Sequence, residues 1–261
     1  MSKPRVYKTE AIVLKRTNLG EADSIITLYT PNLGKIRAVA KGVRRPKSKL
    51  VGHLELLTQG AFLLAQGQNL DIITQSQIIE SFQPIKNDLW RTSCAIYISE
   101  LVDQFSAEEA ENYPVYRLLQ STLHWLCDAR NNELVLRYFE IHLLRLTGYQ
   151  PELYKCLNCR AELVPQRNFF STGGGGTFCP ACARNEPMSF PLTIDALKTM
   201  RFLLNNDHIS VGRLKISPLL SRELEQLLRD YIRYVLEHEV KSLEFLDRMR
   251  EEAVNHNRAA T

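Results

Sequence analysis

An α+β multidomain fold is predicted by three observations on this 261-residue chain. Five short β-patterned segments fall within the first 80 residues, a helical period takes over from about Pro84, and two C-x2-C pairs are separated by nineteen residues in an irregular stretch. The length allows one large domain or two smaller ones, with a core that needs no covalent staples. A composition 44% apolar and 24% charged excludes a disordered chain. No apolar run approaches the ~20 residues of a membrane span, so no membrane partner is expected. The start, MSKPRVYKTEAIVLKR, has no apolar stretch before a cleavage site. The expectation is a cytoplasmic protein whose cysteines are reduced or metal-bound.

The β segments are residues 7–16, 24–30, 35–41, 54–65 and 70–79, rich in Val, Ile, Thr, Leu and Tyr. Turn clusters at 18–20, 31–34 and 66–69 separate them. Five strands in residues 1–80 predict a small closed barrel, of which the OB-fold is the commonest nucleic-acid-binding type. The third segment alternates Ile36, Ala38 and Ala40 with Lys35, Arg37 and Val39, and Lys41 follows. One face is apolar, and three cations project from the other.

Charge is unevenly spread. The formal total is +4, yet residues 1–80 hold 12 Lys and Arg against 6 Asp and Glu. The stretch 34–50 carries seven cations (Lys35, Arg37, Lys41, Arg44, Arg45, Lys47 and Lys49) and no acid. That is the electrostatic footprint of a polyanion binder. A solvated charged loop is the plainer alternative. Tyr29 and Tyr7 are either stacking platforms for bases or barrel core.

Residues 81–151 and 191–250 are expected to form two parts of a helical bundle. Apolar residues recur at helical spacing in 89–105 and 115–127. Residues 106–109, Ser-Ala-Glu-Glu, fit a capping box, and Pro114 suits a first helical turn. The segment 133–146 is apolar almost all round and is expected at the bundle's centre, ended by Gly148 and Pro151. Helical signal resumes at 193–205. A long segment, 217–250, opens with Ser217 as N-cap and Pro218 as first helical residue. Residues 251–261 are polar and expected as a flexible tail.

In the segment 152–190, Cys156, Cys159, Cys179 and Cys182 have zinc-ligand spacing. Each tight turn presents two sulfurs to one ion, and two turns complete a tetrahedron. Four thiolates leave no open position, so one Zn2+ here is structural. The alternative is four unmetallated, redox-active thiols. Residues 173–176, four glycines, are expected as the mobile tip of the intervening hairpin. They are no phosphate loop, since Lys-Ser/Thr does not follow. Cys94 and Cys127 read as buried small residues, and Trp90 and Trp125 as core anchors. His53, His124, His142 and His238 read as surface or packed residues. No G-x-S-x-G occurs, and the acidic residues are dispersed, so no enzyme is expected.

The assembled motifs resemble those of the RecO family of bacterial recombination mediators, which act in DNA repair. The opening signature is matched by Gly20-Glu-Ala-Asp23, Leu28-Tyr-Thr30, Gly34-Lys35 and the run from Ala40 to Ser48. The middle one is matched by Gly148-Tyr-Gln-Pro151 followed by Cys156-Leu-Asn-Cys159. The closing helix is matched by Lys241-Ser-Leu-Glu-Phe-Leu246. The resemblance implies an OB-fold, a helical domain and a zinc-binding insertion. It implies binding of single- and double-stranded DNA and annealing of complementary strands. It also implies loading of RecA, together with RecR, onto strands coated by single-stranded-DNA-binding protein, whose C-terminal tail meets the helical domain. The family's DNA-binding barrel maps here onto Lys35, Arg37, Lys41, Arg44, Arg45 and Lys47, and further onto Lys15, Arg16 and Lys49. A nucleoid-associated location follows. The reading from another class is a zinc-stabilised helical adaptor whose barrel binds protein.

Overall fold

The computed structural model describes residues 5–46, 48 and 50–259, so Lys47 and Lys49 lie outside the described residues. In chain order the strands are β1 (Val6–Leu19), β2 (Asp23–Thr30), β3 (Gly34–Ala40), β4 (Gln59–Ala65) and β5 (Asp71–Glu80). Helices α1 (Gln83–Lys86), α2 (Leu89–Phe105), α3 (Tyr113–Asp128) and α4 (Asn132–Leu146) follow. Then come β6 (Asn168–Ser171), β7 (Gly176–Phe178), α5 (Pro180–Ala183), β8 (Ser189–Leu192), α6 (Ile194–Asn205), α7 (His208–Val211), α8 (Pro218–Leu236) and α9 (Ser242–Ala259). The chain divides into two compact units: the barrel and helices to Asp128 with the segment from Lys241 on, and Ala129–Val240. The helices expected in one bundle are thus shared between two units.

In the first unit the five strands close into a barrel of order β1-β2-β3-β5-β4, the OB topology, with β3 and β5 parallel at Ala38–Asp71 and Val39–Ile72. Alternation fills the barrel: Ala11, Val13, Ile26, Leu28, Ile36, Ala38, Phe62 and Leu64 are all buried in one cluster. Strand β1 serves two neighbours, pairing with β4 through Val6–Ile12 and with β2 through Ile12–Leu19. A bulge between Val13 and Lys15 bends it across the closure. The outward residues Ile12, Thr27 and Tyr29 are buried as well, because α2 packs on β1 and α3 on β2. Tyr29 is therefore core rather than a stacking platform.

Two boundaries differ from expectation. Residues 106–109 do not start a helix; Glu109 has φ 57°, and its N–H donates to the Lys35 carbonyl at 2.8 Å. The cap of α3 comes instead from Asn112, whose Oδ1 accepts from Val115 N at 3.2 Å. The long helix expected over 217–250 breaks after Leu236, where Glu237 turns left-handed at φ 60°. A partner remote in sequence starts the next helix: the Glu100 carboxylate accepts from Lys241 N at 3.0 Å and Ser242 N at 2.7 Å. Helix α9 then runs to Ala259, through most of the stretch expected as a tail. Trp90 is half-buried rather than a core anchor, and carries the Arg250 guanidinium 5.5 Å from its ring centre.

The second unit is organised by α4, buried almost all round as its pattern predicts. Helices α6, α7 and α8 pack on it, with caps from Thr193, Asp207 and Ser217. A three-stranded antiparallel sheet, β7-β6-β8, carries the cysteine segment. The glycine run turns from β6 to β7, with Gly173 and Gly174 exposed and Gly176 buried. A Cβ on Gly174 would meet the Leu157 side chain at 2.8 Å, and one on Gly176 would meet Glu152 at 2.8 Å.

Candidate nucleic-acid interface and metal centre

Register gathers cations at one end of the barrel. Thr17 pairs with Ile25 and Ile25 with Val39, so the end of β1, the start of β2 and the end of β3 lie together. Arg16, Lys41, Arg44 and Arg45 all belong to this end. The loop after β3 is clamped to the β1–β2 turn. Asp23 Oδ1 accepts from Gly42 N at 2.7 Å, Arg44 N donates to the Ala22 carbonyl at 2.9 Å, and Arg44 Nη1 donates to the Gly20 carbonyl at 2.9 Å. Val43 plugs the core beneath. Arg45 folds back over Gly42, a glycine at φ 62°. Lys41, Arg44 and Arg45 stay exposed, while Arg16 is half-buried with its Nε 3.4 Å from Ser24 Oγ. The clamp leaves these charges in solvent at low ordering cost, as a phosphate contact requires.

The strand cations behave differently. Lys15, Thr27 and Arg37 form one row on the outward face, with Lys15 exposed. Lys35 is turned onto α2, its Nζ 3.0 Å from Asp103 Oδ1 and 2.5 Å from the Asp103 carbonyl. Arg37 is held by Glu108 in a fork, Nε–Oε1 2.6 Å and Nη2–Oε2 3.2 Å. Sequence reasoning missed both acids. They lie 68 and 71 residues away along the chain, and no local pattern links them to β3. Tyr7 is half-buried, its hydroxyl 2.5 Å from Asp71 Oδ2.

The four cysteines predicted as ligands converge. Their sulfurs all lie within 4.8 Å of one another, and this is the group among the described residues that could hold a metal ion. Cys159 and Cys179 sulfurs are 3.9 Å apart; four sulfurs each about 2.3 Å from a central ion stand about 3.8 Å apart. Each pair sits on a tight turn. Arg160 at φ 60° returns its N–H to the Cys156 carbonyl at 3.0 Å, and Cys182 N donates to the Cys179 carbonyl at 3.1 Å. The turns also aim amides at sulfur, with Cys179 N 3.4 Å from Cys156 Sγ. Burial by itself raises the Cys156 thiol, but amide donors from Cys179, Cys159 and Asn158 outweigh it and pull the value down to about 6. Cys182 moves the other way, to about 11: the Asn158 donor lowers it, and the crowding thiols outweigh that donor. Donor type and sulfur spacing fit a thiophilic ion held by Cys156, Cys159, Cys179 and Cys182.

Cys94 is buried on α2 and Cys127 half-buried on α3, both apart from the cluster. His142 is buried and bonds the Leu203 carbonyl through Nε2 at 2.9 Å, and His238 is exposed. No helix among the described residues is long and apolar enough to cross a membrane.

Fold and centres together define an OB-barrel protein with a helical body and a four-cysteine cluster. Residues 1–82 match the family description recombination protein O N terminal, and residues 86–244 match recombination protein O C terminal. A DNA repair protein RecO of Dehalococcoides mccartyi is 45% identical over 247 residues, covering 95% of this chain and 97% of that one. Its counterpart from Roseiflexus is 43% identical over 95% of this chain and 87% of its own length. That from Halalkalibacterium halodurans is 30% identical over 93% and 95%. The chain belongs to the RecO family.

Proposed function

We propose that this protein is a recombination mediator in DNA repair. In this reading it binds single- and double-stranded DNA and anneals complementary strands. With RecR, it helps load RecA onto strands coated by single-stranded-DNA-binding protein, whose C-terminal tail it contacts. The observation that carries the reading is the gathering of exposed Lys41, Arg44 and Arg45 on a clamped loop at one barrel end. Lys15 and Arg16 extend the proposed contact surface, and Arg37 and Lys35 border it; Lys47 and Lys49, outside the described residues, are proposed as further phosphate contacts.

The mechanism is electrostatic, and no covalent bond is made or broken. Two strands repel as polyanions; cations on one rigid surface offset that repulsion and release counterions. Contacts to phosphate leave base edges free to pair and carry little sequence preference. Neither an enzyme's machinery nor ATP is needed. One zinc ion held by Cys156, Cys159, Cys179 and Cys182 would act structurally, cross-linking two turns of a segment with little core of its own. The proposed location is the cytoplasm, at the nucleoid.

Annealing of complementary strands, naked and coated, with and without ATP, tests the proposal. Annealing without ATP is expected, and its absence on both substrates would reject the reading. Internal pairing of Lys35 and Arg37 favours a second reading, in which the barrel binds protein. Filter binding at two salt concentrations separates them, since only a phosphate interface weakens steeply with salt.

A further inference from the structure

We propose that the acidic segment 106–112 is a built-in competitor for the barrel's phosphate-binding cations, with Glu108 holding on Arg37 the place a DNA phosphate takes. The proposal rests on the DNA-binding reading of the barrel.

The segment reads Ser-Ala-Glu-Glu-Ala-Glu-Asn, three carboxylates and no cation. It lies beside the first half of β3, where β5 does not pair: Lys35 and Glu108 form a parallel bridge, and Glu109 N donates to the Lys35 carbonyl at 2.8 Å. Docking is built into the chain. Gly34, at φ 62°, leaves room for the Ala110 carbonyl oxygen, which a Cβ on Gly34 would approach to 1.9 Å. Glu109 adopts φ 57° in the same contact.

The docked segment presents a carboxylate fork to a guanidinium, the geometry by which arginine also takes phosphate. The two strand cations differ in how open they are. The Lys35 and Asp103 side chains are 13% and 21% exposed, so that pair fastens β3 to α2. The Arg37 and Glu108 side chains are 47% and 48% exposed, so water and incoming anions reach the pair. A half-exposed pair is weak, whereas a polyanion gains from counterion release. Exchange of Glu108 for phosphate is therefore within reach, and Arg37 adds to DNA binding only in the fraction displaced.

The test is fluorescence anisotropy of a labelled oligothymidine with the full chain across a salt series. It compares wild type, Glu108→Gln, Arg37→Ala and the double variant. Glu108→Gln is expected to tighten binding about two- to fivefold at low salt and to steepen the log–log salt slope by about 0.7, one added phosphate. The gain should vanish when Arg37 is absent. Thermal unfolding confirms that each variant folds, and Glu108→Asp, too short for the fork, repeats the comparison should the amide variant not fold. Unchanged affinity and slope, or an equal gain with and without Arg37, overturns the proposal. Failure of wild type and every variant to bind the oligonucleotide instead overturns the DNA-binding reading, and the competitor with it.

Discussion

The Ala110 carbonyl lies so close to Gly34 that a Cβ there would stand 1.9 Å from its oxygen. The β2–β3 turn and the segment between α2 and α3 are therefore fitted to each other. Gly34→Ala should cost at least about 1–2 kcal/mol for the left-handed backbone alone, and more for the collision. Urea unfolding measures it; a variant as stable as wild type would show that the contact is not maintained in solution.

The barrel end predicts a salt signature. Replacing Lys41, Arg44 and Arg45 together by Ala should weaken binding to all single-strand sequences alike. The log–log salt slope should become shallower by about 2, because three fewer phosphates are neutralised. A triple variant with the wild-type slope would place the interface elsewhere. The fold should lose about 1 kcal/mol with the Arg44–Gly20 bond and little more, because the three side chains are otherwise exposed.

The four-cysteine cluster predicts about one zinc per chain in protein purified without added metal, by elemental analysis. Cys159→Ser should abolish it and lower unfolding stability by more than about 2 kcal/mol, since the segment loses its cross-link. A chelator should reproduce the loss in wild type. Metal content near zero in folded wild-type protein would reject the centre.

Burial lowers the His142 pKa to about 4; the nearby Arg145 charge adds to this, and the bond to the Leu203 carbonyl opposes it. An unfolded imidazole takes its proton near pH 6.5. Between these values the unfolded chain holds more protons, so this stabilising contribution is full above pH 6.5 and is lost as pH falls toward 4. Its size is up to about 3 kcal/mol. His142→Gln should flatten the slope of stability across that window, measured by denaturant titration at several pH values. An identical slope would locate the titrating group elsewhere.

Arg137 and Glu140 form a pair 2.7 Å apart on α4, with side chains 2% and 0% exposed. Arg137 Nε and Nη1 have no partner among the described residues. Removing the acid leaves a buried guanidinium, so Glu140→Ala should destabilise by about 3–5 kcal/mol. Replacing both residues by apolar ones of similar volume should recover much of that loss. Equal losses in the single and double variants would show that volume, not charge, sets the cost.

How legible each feature was depended on the range of its cause. The strands of the barrel were readable because a two-residue alternation such as Ile36, Ala38, Ala40 needs only neighbours in the chain. The cysteine spacing was readable because each C-x2-C turn is local. The start of α8 was readable because Ser217 caps Leu220 three residues on. The start of α9 was not, because its cap, Glu100, comes from α2. Residues 106–109 satisfied a capping-box pattern, yet pairing with the open half of β3 supplied their backbone bonds instead.

Sequence alone therefore determined the five barrel strands, the helical periods, the thiol quartet and the concentration of cations in 34–50, because each is a property of adjacent residues; it did not show β6, β7 and β8, which fall in a segment that reads as irregular. Only tertiary structure decided which cations remain available. Lys35 and Arg37 look identical in character to Lys41 and Arg44 along the chain. The fold brings Asp103 and Glu108 to the first two and leaves the others on a clamped loop in solvent. A charge is written in the sequence, but its counter-charge is set by distance in space, and closing those distances is what folding does.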